Sequence, residues 1–95
     1  FFDPMSGRHF YSSIDKVRKA ENEVNANMIN DVFGYASLND FYDELNLERT
    51  EIGDIVGWNV SRRIKMGISS QVDDDGKASI VLVYHTRPEY GFDKL

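Results

Sequence analysis

Cysteine is absent from this 95-residue sequence, and its absence removes several kinds of site at once. A disulfide framework, a thiolate metal site and a cysteine nucleophile are all excluded. The absence is also compatible with a reducing compartment, so we expect a cytoplasmic domain, tethered to a membrane if the full-length protein carries an anchor. The longest apolar run covers only residues 80–84, whereas a membrane span needs about 20.

Positive charge is in short supply. Eleven lysines and arginines stand against sixteen aspartates and glutamates, and the formal net charge is −5. Nucleic acid and anionic lipid are therefore excluded as general partners, because binding phosphate requires a positive field. The deficit is concentrated in residues 38–59, where Arg49 is the single base. The acids of that segment are Asp40, Asp43, Glu44, Glu48, Glu51 and Asp54.

Motifs of catalysis are missing as well. The sequence has no glycine-rich phosphate loop, no nucleophile elbow and no basic–aromatic pattern of the kind that binds single-stranded nucleic acid. His9 and His85 are its only histidines, and two ligands without a third do not make a zinc site. We therefore expect no metal, no cofactor and no catalytic residue, and the chain is not predicted to be an enzyme.

Three consecutive aspartates at positions 73–75 invite comparison with a calcium loop. An EF-hand loop places its acids at alternate positions, with a glycine at the sixth and a glutamate at the twelfth. Here the acids are consecutive, so neighbouring side chains point apart, and Gly76 follows them directly. The segment is interpreted as a solvent-exposed turn, since Asp and Gly both tolerate positive φ.

What the chain does contain is enough for one folded domain over residues 1–95. Its hydrophobic fraction of 41% and its twelve aromatic residues are ordinary for a globular protein. The initial pair Phe1-Phe2 needs burial, and we interpret it as the end of a strand that begins upstream. The chain is then a C-terminal fragment of a longer protein. The turn-forming residues 3–7 predict a first hairpin.

The first helix is predicted at about 13–32. Ser12, with Asp15 three residues on, supplies a capping pattern, and Gly34 follows the last apolar position. One apolar stripe at helical spacing runs through the segment and consists of Ile14, Val17, Ala20, Val24, Met28 and Val32.

A second, shorter helix is predicted at 38–46. Ser37 and Asp40 repeat the capping pattern, and an asparagine at position 46 can end the helix in a left-handed conformation. The glycine-containing segment 48–59 is predicted to be an irregular loop, because glycine disfavours a long helix. Its lone tryptophan, Trp58, is expected to anchor the loop in the core.

The closing hairpin is the clearest element. Residues 64–70 alternate between apolar and polar or small side chains, which is typical of a half-exposed strand. Residues 78–86 are almost continuously apolar and β-branched, so this strand is predicted to lie at the centre of the sheet. The order β-β-α-α-β-β predicts an α+β fold, with a mainly antiparallel sheet of about four strands and two helices packed on one face.

The acidic second helix is the predicted docking surface for a protein partner. Asp40, Asp43 and Glu44 lie on its exposed face, and Trp58 ends the loop that follows. These four residues form the predicted binding site. For the acids taken by themselves, a solvated helix face is the favoured interpretation, and a docking surface for a basic partner is the best functional one.

Two other sequence features allow different hypotheses. An enzymatic site between loop 48–59 and the sheet would use Asp54 and His85. The basic cluster Arg62-Arg63-Ile64-Lys65 either protects a sheet edge from aggregation or contacts an acidic surface, on a partner or on the chain's own second helix.

Several stretches resemble a known family when they are taken together. They include Ser37-Leu38-Asn39-Asp40-Phe41, Val81-Leu82-Val83-Tyr84 and residues 6–10, 18–21, 42–47, 51–54, 57–60, 68–72 and 74–76. Their order resembles that of uncharacterised proteins encoded by phages and mobile elements of Gram-positive bacteria, and it covers most of the chain. The sequence departs at Glu48-Arg49, where that family often has a proline pair.

The resemblance implies that this region is the C-terminal soluble part of its parent protein, preceded by a more hydrophobic, membrane-anchored segment. It carries over no catalytic residue, because the family has no assigned activity. The predicted function is therefore a non-enzymatic protein-interaction domain of a phage or prophage protein. The alternative is a structural component of a virion or of a membrane-associated assembly.

Overall fold

The computed structural model describes residues 1–31, 34–72, 74–76 and 78–92. Two helices and seven strands lie in these residues. Their bounds are β1 Phe2–Asp3, β2 Arg8–His9, α1 Ile14–Asn30, β3 Tyr35–Ser37, α2 Leu38–Glu44, β4 Val56–Asn59, β5 Met66–Val72, β6 Ala78–Tyr84 and β7 Glu89–Tyr90, with a short 3₁₀ turn at Ile52–Asp54. The predicted α+β class is confirmed.

The first sheet has four strands in the order β2-β1-β6-β5. Strands β5 and β6 form the closing hairpin, paired antiparallel from Met66 opposite Tyr84 to Val72 opposite Ala78. The central place predicted for the last long strand is confirmed, because β6 lies between β5 and β1. Of the initial phenylalanines, Phe2 joins the same sheet and lies next to Val81 in its one parallel pair.

A second sheet, in the order β3-β4-β7, was not predicted. The prediction that residues 48–59 are wholly irregular is wrong, because Val56–Asn59 forms the middle strand of this sheet. Gly57 disguises the strand in the sequence. A Cβ at this position would collide with the Ala36 carbonyl oxygen on β3, so close approach of the two backbones requires glycine here. The order of elements becomes β-β-α-β-α-β-β-β-β among the described residues.

Helix α1 begins one residue later than its predicted cap. The N-cap is Ser13, not Ser12: the Ser13 backbone is extended, and its Oγ accepts a hydrogen bond from the Lys16 N–H at 3.2 Å. The predicted stripe is buried from Val17 to Met28, whereas Ile14 is half exposed. The helix ends at Asn30 with Asp31 as its C-cap, and the predicted continuation to Val32 lies outside the described residues.

Helix α2 confirms its predicted capping pattern. The Ser37 side chain accepts from the Asp40 N–H, and Asp40 in turn accepts from the Ser37 N–H at 2.9 Å. Asn46 follows the helix with a φ of 58°, as its predicted left-handed conformation requires. This tight start and stop fix the direction in which the acidic face of α2 points.

The two sheets meet through a cluster of three aromatic rings. Trp58 on β4 lies parallel to Tyr84 on β6, with ring centroids 6.4 Å apart, and Phe41 of α2 meets both rings edge-on. All three side chains are buried. They place α2 above the junction of the sheets, with its acidic face turned towards α1.

Candidate functional site

A groove of about 490 Å³ runs between the C-terminal half of α1 and the exposed face of α2. Buried Val24 and Ala36 form its apolar floor. The polar side chains that line it are Asn27, Asn30, Asp31, Tyr35, Asp40, Asp43 and Glu44. The three acids predicted as binding residues therefore do lie together, and they share their groove with residues of α1 and β3.

The groove is strongly acidic. Four carboxylates line it, and no lysine or arginine is among its described lining residues. The C-terminal end of α1 adds to this field, because the last carbonyls of a helix carry partial negative charge and the final turn of α1 has no basic residue. The arrangement favours a cationic ligand.

The three acids of α2 differ in their contacts. Asp40 caps the helix. Asp43 binds Arg49, whose guanidinium contacts its carboxylate at 2.6 Å and also approaches Asp40 and Asp54. The hydrogen-bonded Asp43 carboxylate raises the pKa of Arg49 above its ordinary value. Glu44 is exposed and has no hydrogen-bond or ion-pair partner among the described residues, so it is the acid most available to a ligand.

The segment after α2 is held in place by a buried asparagine. The side chain of Asn39 accepts from the Thr50 N–H at 2.9 Å and donates to the Thr50 carbonyl and to Asp54. A Cβ at Gly53 would collide with the Asn39 amide, so glycine is required by close packing at this point. Asn39 thereby fixes the segment that carries Arg49.

Trp58, the fourth predicted binding residue, is fully buried. Its Nε1–H donates to the Thr86 carbonyl at 2.7 Å, which satisfies its only polar group. The expectation that it anchors this part of the chain in the core is confirmed. Trp58 supports α2 from below and presents no surface to a partner.

Comparison with known proteins gives one match. A family model described as a family of unknown function (DUF6353) matches residues 1–93. The chain belongs to this family. No curated protein and no solved structure matches the chain. The expected membership of an uncharacterised family is confirmed, and the chemistry of this DUF6353 domain has to be derived from its geometry.

The residues of the enzymatic hypothesis lie in different settings. Asp54 accepts a hydrogen bond from Asn39, and the His85 ring lies over Gly67 on β5. Neither residue lines the acidic groove. Within the described residues of the DUF6353 domain, no three histidine, aspartate or glutamate side chains gather as a metal site.

Two other predicted features have definite positions in the domain. In the basic cluster, Arg62 pairs with Glu89 at 3.2 Å and donates to the Arg87 carbonyl, so its contacts are with β7 and the residues before it. In the aspartate turn, Gly76 has a φ of 78°, as turn chemistry requires, while Asp73 lies outside the described residues. Among the residues described, no helix has the length and hydrophobicity to cross a membrane.

A second polar cluster lies inside the DUF6353 domain rather than on its surface. Asp3 is fully buried, and its carboxylate accepts from the Tyr84 hydroxyl at 2.6 Å and from the Ser6 hydroxyl at 2.7 Å. The Arg8 guanidinium lies 5.0 Å above the Tyr42 ring. This cluster joins β1 to β6 and α2, and its contacts are all within the domain, so we assign it a structural role.

Alkaline pH is expected to destabilise the domain through this cluster. Burial, followed by the nearby Asp3 carboxylate, raises the pKa of both Tyr42 and Tyr84 above the ordinary value. Tyrosines of the unfolded chain ionise at about pH 10. Above that pH the folded state therefore holds more protons than the unfolded state. The free energy of unfolding should then fall as pH rises, while below about pH 10 this contribution is fully present.

Urea titrations across this pH range measure the effect. Tyr84→Phe should flatten the decline, and Tyr11→Phe, which changes a fully exposed ring, is the matched control. A decline that is equally steep in wild type and Tyr84→Phe would contradict the assignment.

Sequence reasoning missed the α1 wall of the groove. Asn27, Asn30 and Asp31 lie off the apolar stripe of α1 and were not among the predicted binding residues. The sequence did contain a signal for this wall, since the last turns of α1 carry two amides and an acid and the final turn has no basic residue. That α2 folds back against this end of α1 follows only from the connection through β3.

Proposed function

We propose that this domain docks a basic segment of another protein in the groove between α1 and α2 and catalyses no reaction. The observation that carries the proposal is the set of four carboxylates around an apolar floor, with Asp31 at the C-terminal end of α1 and the other three along α2. A lysine or arginine side chain suits such a site, because its aliphatic stem packs on apolar groups while its charge reaches the acids.

Arg49 supports the choice of a basic ligand. This side chain already makes the contact that a partner's arginine would make, with two of its nitrogens hydrogen-bonded to Asp43. The Asp43 carboxylate is therefore placed to accept a guanidinium. Glu44 lies one residue further along the helix and offers the next contact.

The setting of the parent protein rests on sequence resemblance alone. A phage or prophage origin, a cytoplasmic location and a membrane tether for the full-length protein stay predictions. A structural role in a virion or membrane-associated assembly is the alternative, and it would not require the groove.

Charge reversal at Glu44 (Glu44→Lys) is expected to weaken binding of a basic peptide by about 30-fold. A unit charge at about 4 Å is worth about 1 kcal/mol even in water, and reversal changes the interaction by about 2 kcal/mol. The probe is an unstructured peptide rich in lysine and arginine, titrated into isotopically labelled domain. Chemical-shift changes should be largest at Asn27, Asn30, Tyr35 and Glu44. Glu44 is chosen for substitution instead of Asp40 or Asp43 because, among the described residues, it makes no contact that stabilises the fold.

Glu48→Lys is the matched control, since Glu48 is exposed, does not line the groove and changes the net charge equally. It should weaken binding far less than Glu44→Lys at physiological salt, where distant charges are screened. Equal effects of the two variants, or shifts spread evenly over the acidic surface, would rule out the groove.

A further inference from the structure

The outer side of β5 is one of the two edges of the four-stranded sheet, and β2 forms the other. Lys65 accepts from the His85 N–H on the β6 side, whereas Met66 directs its N–H and carbonyl away from β6. Because these directions alternate along an antiparallel strand, Ile68, Ser70 and Val72 also direct their backbone groups outwards. No strand of the described chain pairs with that side of β5.

Helix α1 covers only the first part of this edge. Asn25 both donates to and accepts from the backbone of Ile64, at 3.0 Å in each case. Glu21 accepts from the Met66 N–H at 3.0 Å, and Arg18 donates to the Met66 carbonyl. These side chains take the place of a neighbouring strand as far as Met66, and the cover then stops.

The uncovered stretch lacks the features that usually protect an edge strand. Residues 66–72 contain no charge and no proline. Val72 is 72% exposed although it is a large apolar residue, and Ser70 is also exposed. The edge is therefore open, uncharged and partly apolar over about five residues.

We propose that a second copy of this chain pairs with this edge, β5 against β5, in antiparallel orientation about a two-fold axis at Ser70. In that register Ser70 lies opposite its own copy, and Ile68 lies opposite Val72 of the second copy. All three outward-pointing residues are paired, which gives about six hydrogen bonds. The two four-stranded sheets become one continuous sheet, and the exposed valine gains an isoleucine neighbour.

Length and charge favour a second copy over an unrelated strand. The free edge is self-complementary, because its three outward-pointing residues are symmetric about Ser70. The same three residues of a second copy can therefore pair with all of them. Beyond Val72 this register carries the second copy's Asp74 to the position opposite Met66, next to the basic side chains of Arg18 and Lys65. Glu21 lies there too, but it is mostly buried and already bonded to Met66.

Analytical ultracentrifugation tests the pairing with a matched pair of variants. Ser70→Lys sets two lysines directly opposite each other and should weaken the dimer by about fivefold or more. Ser61→Lys makes the same change at an exposed position outside β5 and should leave it intact. The wild-type domain should show a concentration-dependent dimer. A monomer at the millimolar concentrations used for NMR, or equal weakening by both variants, overturns the proposal.

A cysteine variant provides a second readout, because the natural chain has none. Opposed residues at such a pair lie about 5.5 Å apart between Cα atoms, within the disulfide range of about 4.4–6.8 Å. Ser70→Cys should therefore oxidise to a covalent dimer much faster than Ser61→Cys. Equal rates would contradict the register. The groove and the β5 edge share no residue. The peptide-binding proposal can therefore be wrong while the β5 pairing is right, and the β5 pairing can be wrong while peptide binding is right.

Discussion

Replacing Trp58 with alanine is expected to lower the free energy of unfolding by about 3–5 kcal/mol. The side chain is fully buried between Phe41 and Tyr84, and its Nε1–H is bonded to the Thr86 carbonyl. Its removal leaves a cavity where the two sheets join and an acceptor without its donor. A domain of this size has a total stability of about 5–15 kcal/mol, so the variant should be close to unfolding.

The measurement is urea unfolding followed by far-ultraviolet circular dichroism, because the variant has lost the only tryptophan fluorophore. Tyr90→Ala is the control, since its exposed aromatic ring lies on the neighbouring strand β7. It should change stability by less than about 0.5 kcal/mol. If Trp58→Ala were no more destabilising than Tyr90→Ala, the aromatic junction would not be what holds the sheets together.

Replacing Asp3 with alanine is expected to lower the free energy of unfolding by about 3 kcal/mol, since each buried polar group left without a partner costs about 1–3 kcal/mol. The Tyr84 and Ser6 hydroxyls would both lose their acceptor. Asp3→Asn should have a smaller effect, because the amide oxygen can still accept one of these bonds.

Glu48→Ala is the control for Asp3→Ala, because it removes an exposed carboxylate and should be nearly neutral. A double-mutant cycle with Tyr84→Phe separates the Asp3–Tyr84 bond from the other contacts of the cluster. Purely additive effects in that cycle would show that the bond contributes nothing, contrary to its 2.6 Å geometry.

Elements with a strong period and clear caps could be predicted from the sequence. Helix α2 followed from Ser37 and Asp40, and the closing hairpin followed from its alternation and its turn. Local spacing alone does not separate adjacent candidates, however. Ser12 and Ser13 are both serines before the same stripe, and only the extended backbone of Ser13 makes it the cap.

The second sheet could not be predicted because its strands are too short to show a period. Strand β4 lies between β3 and β7, and each of these short strands pairs with β4 and not with the other. Strand β4 also contains a glycine, which the close approach of β3 requires. These contacts join residues far apart in sequence. The link between Asp3 and Tyr84 has the same character, since the local pattern around Asp3 indicates only a turn.

The candidate site was predicted in part. The acids of α2 were identified from composition and helix phase, and they do line a groove. The capping pattern predicted the role of Asp40, but local spacing could not show that Asp43 is committed to Arg49. These two commitments leave Glu44 as the acid most open to a ligand. Trp58 was placed correctly as an anchor, and its burial removes it from the surface that a partner would meet.

Photo-crosslinking from Asn27 is the most direct measurement of the groove as a docking site. A photoreactive amino acid at Asn27, inside the groove, is compared with the same group at Asn22, which is exposed on α1 but does not line it. Capture from cell lysate should be stronger from Asn27, should fall with Glu44→Lys, and should map by mass spectrometry to a segment rich in lysine and arginine. Equal capture from both positions, or a captured segment without excess positive charge, would contradict the groove as a site for basic partners.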